Sequence, residues 1–262
     1  MRANRSNAFR NLACLTSLAF CVNAAGAESQ RDLKFLAPGL KLEQSHDLAG
    51  ALVQYNNAVQ AHPDCWEAFT ARGGLCAQLG KQKEAMADFN KAISLHPDKC
   101  YPYVKRSRLW TEWGHGQEAL ADALTASKMA PEDPDVLLQL GAAKQQLGDE
   151  KGATEAYRQD IQKNPKFVKA YVALARMVEV KKTANKESMA LLNKAVALEP
   201  TNFQSLFARA SLYERQGDNR DAASDLRKAA YYARREGEPS LAAKFAAVAE
   251  ALEATHDTLK RK

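Results

Sequence analysis

Signatures of catalysis are missing from this 262-residue sequence. It has no H-E-x-x-H, no G-x-S-x-G, no S-x-x-K and no glycine-rich phosphate loop, the local patterns that set a metal, a nucleophile or a nucleotide in place. C-x-x-C and C-x-x-C-H are absent as well, which excludes the short redox and haem-attachment motifs. None of the five histidines stands beside a plausible nucleophile in sequence. No residue is assigned a catalytic role, and neither an enzyme activity nor a cofactor is expected.

Cysteine is sparse. Beyond residue 27 only Cys65, Cys76 and Cys100 occur, an odd number without the spacing of a disulfide framework. Cys76 falls on an apolar helical stripe and reads as a packing residue. Cys65 and Cys100 take nearly equivalent places in successive segments. Packed helices lie roughly 8–10 Å apart, beyond the ~7 Å that a bridge spans, so no disulfide is expected. His62, Cys65, His96 and Cys100 offer zinc-ligand chemistry. His62 and His96 are copies of one loop position, however, so the set is read as repetition and no metal site is assigned.

Nor is charge strongly one-sided. The formal +6 rests on 37 basic and 31 acidic residues. Arg2, Arg5 and Arg10 lie within the first 27 residues, which hold no acid, so the remainder carries 34 against 31. A balance that close argues against nucleic acid as a partner. The apolar run Leu12 to Val22 falls short of the ~20 residues that span a bilayer. Preceded by a basic, polar stretch and followed by Ala25-Gly26-Ala27, it has the layout of a secretory signal peptide over residues 1–27, cleaved near Ala27. A lipoprotein signal would end at Cys21, but Phe20 stands where a small residue is wanted, so anchoring there is not expected. The expectation is an exported protein, periplasmic or secreted, with no stable membrane insertion after cleavage. No N-x-S/T acceptor follows residue 27, which leans away from a eukaryotic secretory route.

What the sequence does have is a period. In Trp66 to Lys99, the residues Trp66, Phe69, Gly73, Cys76 and Leu79 recur at helical spacing, Gly80 ends the helix, and Lys81-Gln82-Lys83 makes a polar turn. Ala85, Phe89, Ala92 and Ile93 form a second stripe, closed by Pro97. Large and small apolar residues alternate, as two closely packed helices require. The same hairpin returns along the chain. Pro63, Pro97, Pro131, Pro165 and Pro200 are separated by 34, 34, 34 and 35 residues. A turn glycine (Gly80, Gly114, Gly148, Gly217) and a following alanine (Ala85, Ala119, Ala153, Ala222) keep step with them.

Some copies depart from the pattern. Ala123 replaces the aromatic of Tyr55, Phe89 and Tyr157, which predicts a thinner core there. Asp160 takes a small-residue place, which calls either for exposure or for a partner. The turn Lys181 to Lys186 is one residue longer and lacks glycine; it reads as slack or as a protruding basic loop. Arg234 stands where a closing proline is expected. Residues 28–45 read as a leader broken by Pro38-Gly39, with a short irregular helix around Leu33 to Leu36. Residues 46–65 read as the second helix of a hairpin whose first helix has degenerated. Residues 237–262 form a capping helix and basic tail, with Leu241, Phe245, Val248 and Leu252 on one stripe.

The period of 34, the turn glycine, the following alanine and the closing proline resemble the tetratricopeptide repeat family. The resemblance covers the array 46–236, with repeats near 66–99, 100–133, 134–167, 168–202 and 203–236. It implies an all-α fold, a right-handed solenoid of antiparallel helical hairpins that binds a partner segment on a concave face lined by the first helix of each hairpin. Equivalent places along that face are Val104, Leu138, Val172 and Phe207, with Tyr101, Lys105, Gln139 and Lys169 nearby and Arg108 and Arg176 one turn further on. They suit a protein or peptide segment with apolar and acidic side chains; alternatively the apolar members pack between hairpins and the cations are merely solvated. The Lys and Asn constellation with which many relatives clamp a chaperone's terminal carboxylate is not met, because Gly74, Arg108 and Ala142 stand in the asparagine places. The function expected is that of an exported scaffold for protein–protein interaction in the cell envelope. A helical-repeat nucleic-acid binder and an accessory subunit of an enzyme complex are the alternatives.

Overall fold

The repeating stripes become helices over nearly the whole described chain. The computed structural model describes residues 33–179 and 185–260. After a 3-10 turn at Leu33–Phe35 it holds thirteen α-helices and, among the described residues, no strand. They are α1 (Ala37–Gln44), α2 (Leu48–Ala61), α3 (Trp66–Gln78), α4 (Gln82–Leu95), α5 (Cys100–Glu112), α6 (Gly116–Met129), α7 (Pro134–Gln146), α8 (Glu150–Lys163), α9 (Val168–Glu179), α10 (Asn185–Leu198), α11 (Phe203–Gln216), α12 (Asn219–Arg235) and α13 (Pro239–Lys260). The chain divides into two units, residues 1–149 and 150–262. The signal-like segment with residues 28–32, the part of the Lys181 to Lys186 turn before Asn185, and the final two residues lie outside the described residues.

The turns show why the period works. Gly80, Gly114, Gly148 and Gly217 have φ of 73, 80, 77 and 83°, left-handed values that residues with a side chain resist. Each turn closes with the same hydrogen bond: the amides of Lys81, His115, Asp149 and Asp218 donate to the carbonyls of Cys76, Trp110, Lys144 and Tyr213 at 2.8–3.0 Å. That bond satisfies a carbonyl orphaned at the helix end. At the opposite ends, Asp47, Asp133 and Asn202 accept from the amides of Gly50, Val136 and Ser205.

In the first unit the packing rests on a large residue facing a small one. The Phe89 ring, 1% exposed, fills the notch at Gly73, where a Cβ would come within 2.8 Å of Phe89 Cε1 and 3.1 Å of Asp88 Cβ. One repeat later Ser107 takes the glycine's place, and its hydroxyl donates to the Ala119 carbonyl at 2.7 Å. Ala123 is fully buried beside Ala119 and Ala143, and Trp110, Leu120 and Leu140 pack around this slimmer contact.

The leader expectation is corrected at its C-terminal half. Pro38-Gly39 does not break a helix; it starts one. Proline in the first turn of α1 gives up an amide that has no intrahelical acceptor. Gly39 lets the helix lie on the Tyr55 ring, where a Cβ would meet Cε1 at 2.5 Å, and the Tyr55 hydroxyl donates to Glu43 at 2.8 Å. The degenerate first helix is thus present, shortened to eight residues.

A polar relay recurs that the proline and glycine spacing did not reveal. Arg72 donates through Nε and Nη2 to both Asp88 oxygens, at 2.8 and 2.6 Å, and through Nη1 to Asn56 at 3.2 Å. Arg106 does the same with Asp122 and Asn90, and Arg209 in the second unit with Asp225 and Asn193. Each arginine therefore ties the second helix of its own hairpin to that of the preceding one. The carboxylates keep only 4–8% side-chain exposure. Their hydrogen bonds raise the pKa of each guanidinium against the opposing pull of burial. The two repeats between put Leu140 with Ala156, and Leu174 with Leu191, in the Arg and Asp places.

In the second unit Asp160 is fully buried, with Oδ1 accepting from Asn164 Nδ2 at 3.1 Å. Burial with a partner therefore decides that position. With Arg234 in place of proline, α12 runs on to seventeen residues and is followed, past Glu236, by Gly237 at φ 82°. The stripe expected of α13 is corrected by one position: Ala242, Phe245, Ala249 and Leu252 are buried, whereas Val248 is 42% exposed. Alanine at 242 and 249 lets α13 approach the alanine-rich inner face of α12.

Candidate partner-binding surfaces

In the first unit, α5 and α7 carry the expected row, and burial divides it. Val104 is buried with Ala126 and Val136. Tyr101 joins Trp66, Phe69 and Ala92 in a neighbouring cluster. Gln139 is also buried, and its Nε2 donates to Thr111 Oγ1 at 3.0 Å. For Val104 this is the packing alternative, and Tyr101 and Gln139 share it: the three join hairpins to one another rather than lining an open surface. Leu138 is half-buried. Lys105 lies with Nζ 4.7 Å from the Tyr101 ring centroid. Burial draws its ammonium down, but Tyr101 and Asp135 outweigh this and raise it. Arg108 is exposed and donates to Glu112 one turn away at 3.2 Å.

The second unit brings its expected residues closer to a site. On α9, Lys169, Val172 and Arg176 follow one stripe; Val172 is half-buried, the two cations exposed, and Lys169 Nζ lies 5.7 Å from the Phe167 ring centroid. Phe207 on α11 is 38% exposed, with its ring stacked on Phe245 at 4.8 Å. Between α9 and α11 a cavity of about 260 Å³ is lined by Arg176, Leu192, Phe207, Ala208, Ser211 and Arg215. Leu192 and Ala208 supply its buried apolar lining. The Ser211 hydroxyl donates to the Phe207 carbonyl at 3.0 Å. Two guanidinium-bearing side chains lining one cavity with a partly exposed aromatic ring can hold a carboxylate and an apolar side chain together. Arg215 and Leu192 were not anticipated. Arg215 follows Phe207 by eight residues, the helical spacing that places them on one face.

The cysteines and loop histidines have local roles. Cys65, Cys76 and Cys100 are all unbridged. Burial, reinforced by Glu67, pushes the Cys65 thiol up to about 12. His62 stacks on Phe35 at 4.1 Å. Among the described residues, no group of three or more His, Cys, Asp or Glu side chains could hold a metal ion. No described helix is long and apolar enough to cross a membrane.

Sequence models of the tetratricopeptide repeat match residues 37–99 and 191–223. No curated protein sequence matches the chain. Among solved structures it is similar to yeast Tom70 (22% identity, TM-score 0.61), covering 78% of this chain but only 44% of that one. A thermophilic tetratricopeptide repeat protein of Thermus thermophilus is similar over 70% of this chain and 98% of its own (19% identity, TM-score 0.64). For pilF of Pseudomonas aeruginosa the shares are 85% and 99% (18% identity, TM-score 0.60). At these identities the likeness speaks for the fold.

Proposed function

We propose, from the premise that this chain is a tetratricopeptide repeat protein, that it acts as an exported scaffold holding segments of partner proteins in the cell envelope. The observation that carries the binding reading is the α9–α11 cavity, which Arg176 and Arg215 line together with the partly exposed Phe207. A partner segment with an acidic side chain next to an apolar one complements it. The folded hairpins hold these groups in place beforehand, which lowers the cost of ordering the segment on binding. On the first unit, exposed Arg108 with half-buried Lys105 and Leu138 is a second candidate face.

Displayed peptide libraries test this reading. The wild-type chain is expected to enrich acidic–apolar peptides over lysine-rich ones. Arg176→Glu combined with Arg215→Glu is expected to weaken a selected peptide at least ~10-fold, a loss in line with charge-assisted contacts, with an unchanged circular dichroism spectrum. Equal binding by the double variant would dismiss the cavity as the site.

Export is supported by the basic start, the apolar run and Ala25-Gly26-Ala27. N-terminal sequencing of the chain recovered from a bacterial periplasm is expected to begin at Glu28. A chain retained in the cytoplasm with its first residues intact would refute export and leave the scaffold reading standing.

A further inference from the structure

The outer face of α12 is a ridge of one charge. Arg220, Ser224, Arg227, Lys228, Tyr231, Arg234 and Arg235 are all exposed, and at 3.6 residues per turn they share a sector of about 120°. No acidic residue of α12 falls inside that sector; Asp221 stands at its edge. The opposite side, Ala222, Ala223, Leu226, Ala229 and Ala233, is buried against the neighbouring helices, so the ridge is held rigid and cannot roll inward. From Arg220 to Arg235 it runs roughly 22 Å. Arg227 is paired with Glu253 of α13. Near its C-terminal end Tyr231 is 59% exposed, its ring edge-on to Tyr232 at 5.1 Å, with the Arg235 guanidinium 5.8 Å from its centroid.

We infer that this ridge docks the protein peripherally on an anionic bilayer surface, with its cations among the headgroups and the Tyr231 ring at their depth. Three features select a lipid surface over a protein segment. A single convex helix has no concavity in which to enclose a segment. Its lone exposed ring is too little apolar area for the desolvated centre that a protein interface needs. A straight row of cations instead meets a plane of headgroups all at once, and tyrosine is the residue type enriched at that depth. The inference is independent of the α9–α11 cavity, which lies on other helices and uses other arginines. It involves no insertion, since the apolar side of α12 is already occupied by the protein core.

The test is flotation of the full chain with vesicles of phosphatidylcholine alone and of phosphatidylcholine with phosphatidylglycerol. The comparison protein is the quadruple variant Arg220→Gln, Lys228→Gln, Arg234→Gln, Arg235→Gln. Both proteins keep residues 1–27, in which Arg2, Arg5 and Arg10 precede the apolar run, so binding through that segment is common to both and the ridge is read from the difference between the two proteins. Wild type is expected to partition onto the anionic vesicles at least ~10-fold better than onto the neutral ones, and to lose that increment at ~0.5 M salt through screening. The variant is expected to lose most of that increment, and Tyr231→Ser about half of it or more. Retention of the increment by the quadruple variant overturns the proposal, as does equal binding to both vesicle types. Preference for an acidic polypeptide or an RNA over the anionic vesicles would likewise overturn it, and would assign the ridge to that polyanion.

Discussion

Replacing Phe89 by alanine is expected to destabilise the first unit by about 3–5 kcal/mol, the range for emptying a buried phenylalanine site. The ring has almost no exposure and lies against Cys76, Ala85 and Leu109, so its loss opens a cavity at the seam between successive hairpins. Gly73, which lies against the ring, has no side chain to move into the space. The same geometry supplies a sharper test. In the wild-type background Gly73→Ala forces a methyl group against the ring and is expected to cost about 1–3 kcal/mol. In the Phe89→Ala background that methyl has room, and alanine is the better helix former. The double variant should therefore be more stable than Phe89→Ala alone, a coupling between touching sites. Urea denaturation together with hydrogen exchange at the α3 and α4 amides would measure it; simple additivity would show that Phe89 does not pack as described.

The second large effect concerns the relay. Asp122→Ala is expected to cost about 2–3 kcal/mol. That is less than the ~3–5 kcal/mol of breaking a fully buried pair, because the Arg106 side chain keeps 22% exposure and some access to water. The decisive comparison is Arg106→Leu with Asp122→Ala, which reproduces what the next repeat carries at Leu140 and Ala156. An apolar pair of suitable size can match an ion pair whose desolvation offsets its attraction, so the double variant should lie within about 1 kcal/mol of wild type. Thermal and urea unfolding curves would decide it. If the double variant is worse than Asp122→Ala alone, the relay contributes more than an apolar seam can replace.

These residues also show what could be seen in the sequence and what could not. Helix boundaries were legible because glycine and proline mark them through backbone chemistry that tertiary packing seldom overrides. The relay was hidden because Arg106 and Asp122 lie on opposite sides of a turn, 16 residues apart, a distance at which no helical periodicity operates. It becomes visible only when whole repeats are laid over one another. The site suffered from a different ambiguity. A period says that Val104 and Leu138 share a register, with Tyr101 and Gln139 nearby, but not whether their helices are turned inward or outward by part of a turn. Val248 failed for that same reason, with Ala249 taking the inward position. α1 escaped notice because Pro38 and Gly39 are helix breakers in the interior and helix starters at an end, and sequence alone did not say which end was at hand.

The near-identical φ values at Gly80, Gly114, Gly148 and Gly217 have a bearing on ancestry. Wherever the chain reverses direction at these glycines it leaves with the same heading, whatever residues follow. A gene duplication of whole periods would therefore create junctions the polypeptide already knows how to make, and a loss of whole periods would heal just as cleanly. Length in such a lineage can drift in steps of one hairpin without any new turn having to be invented.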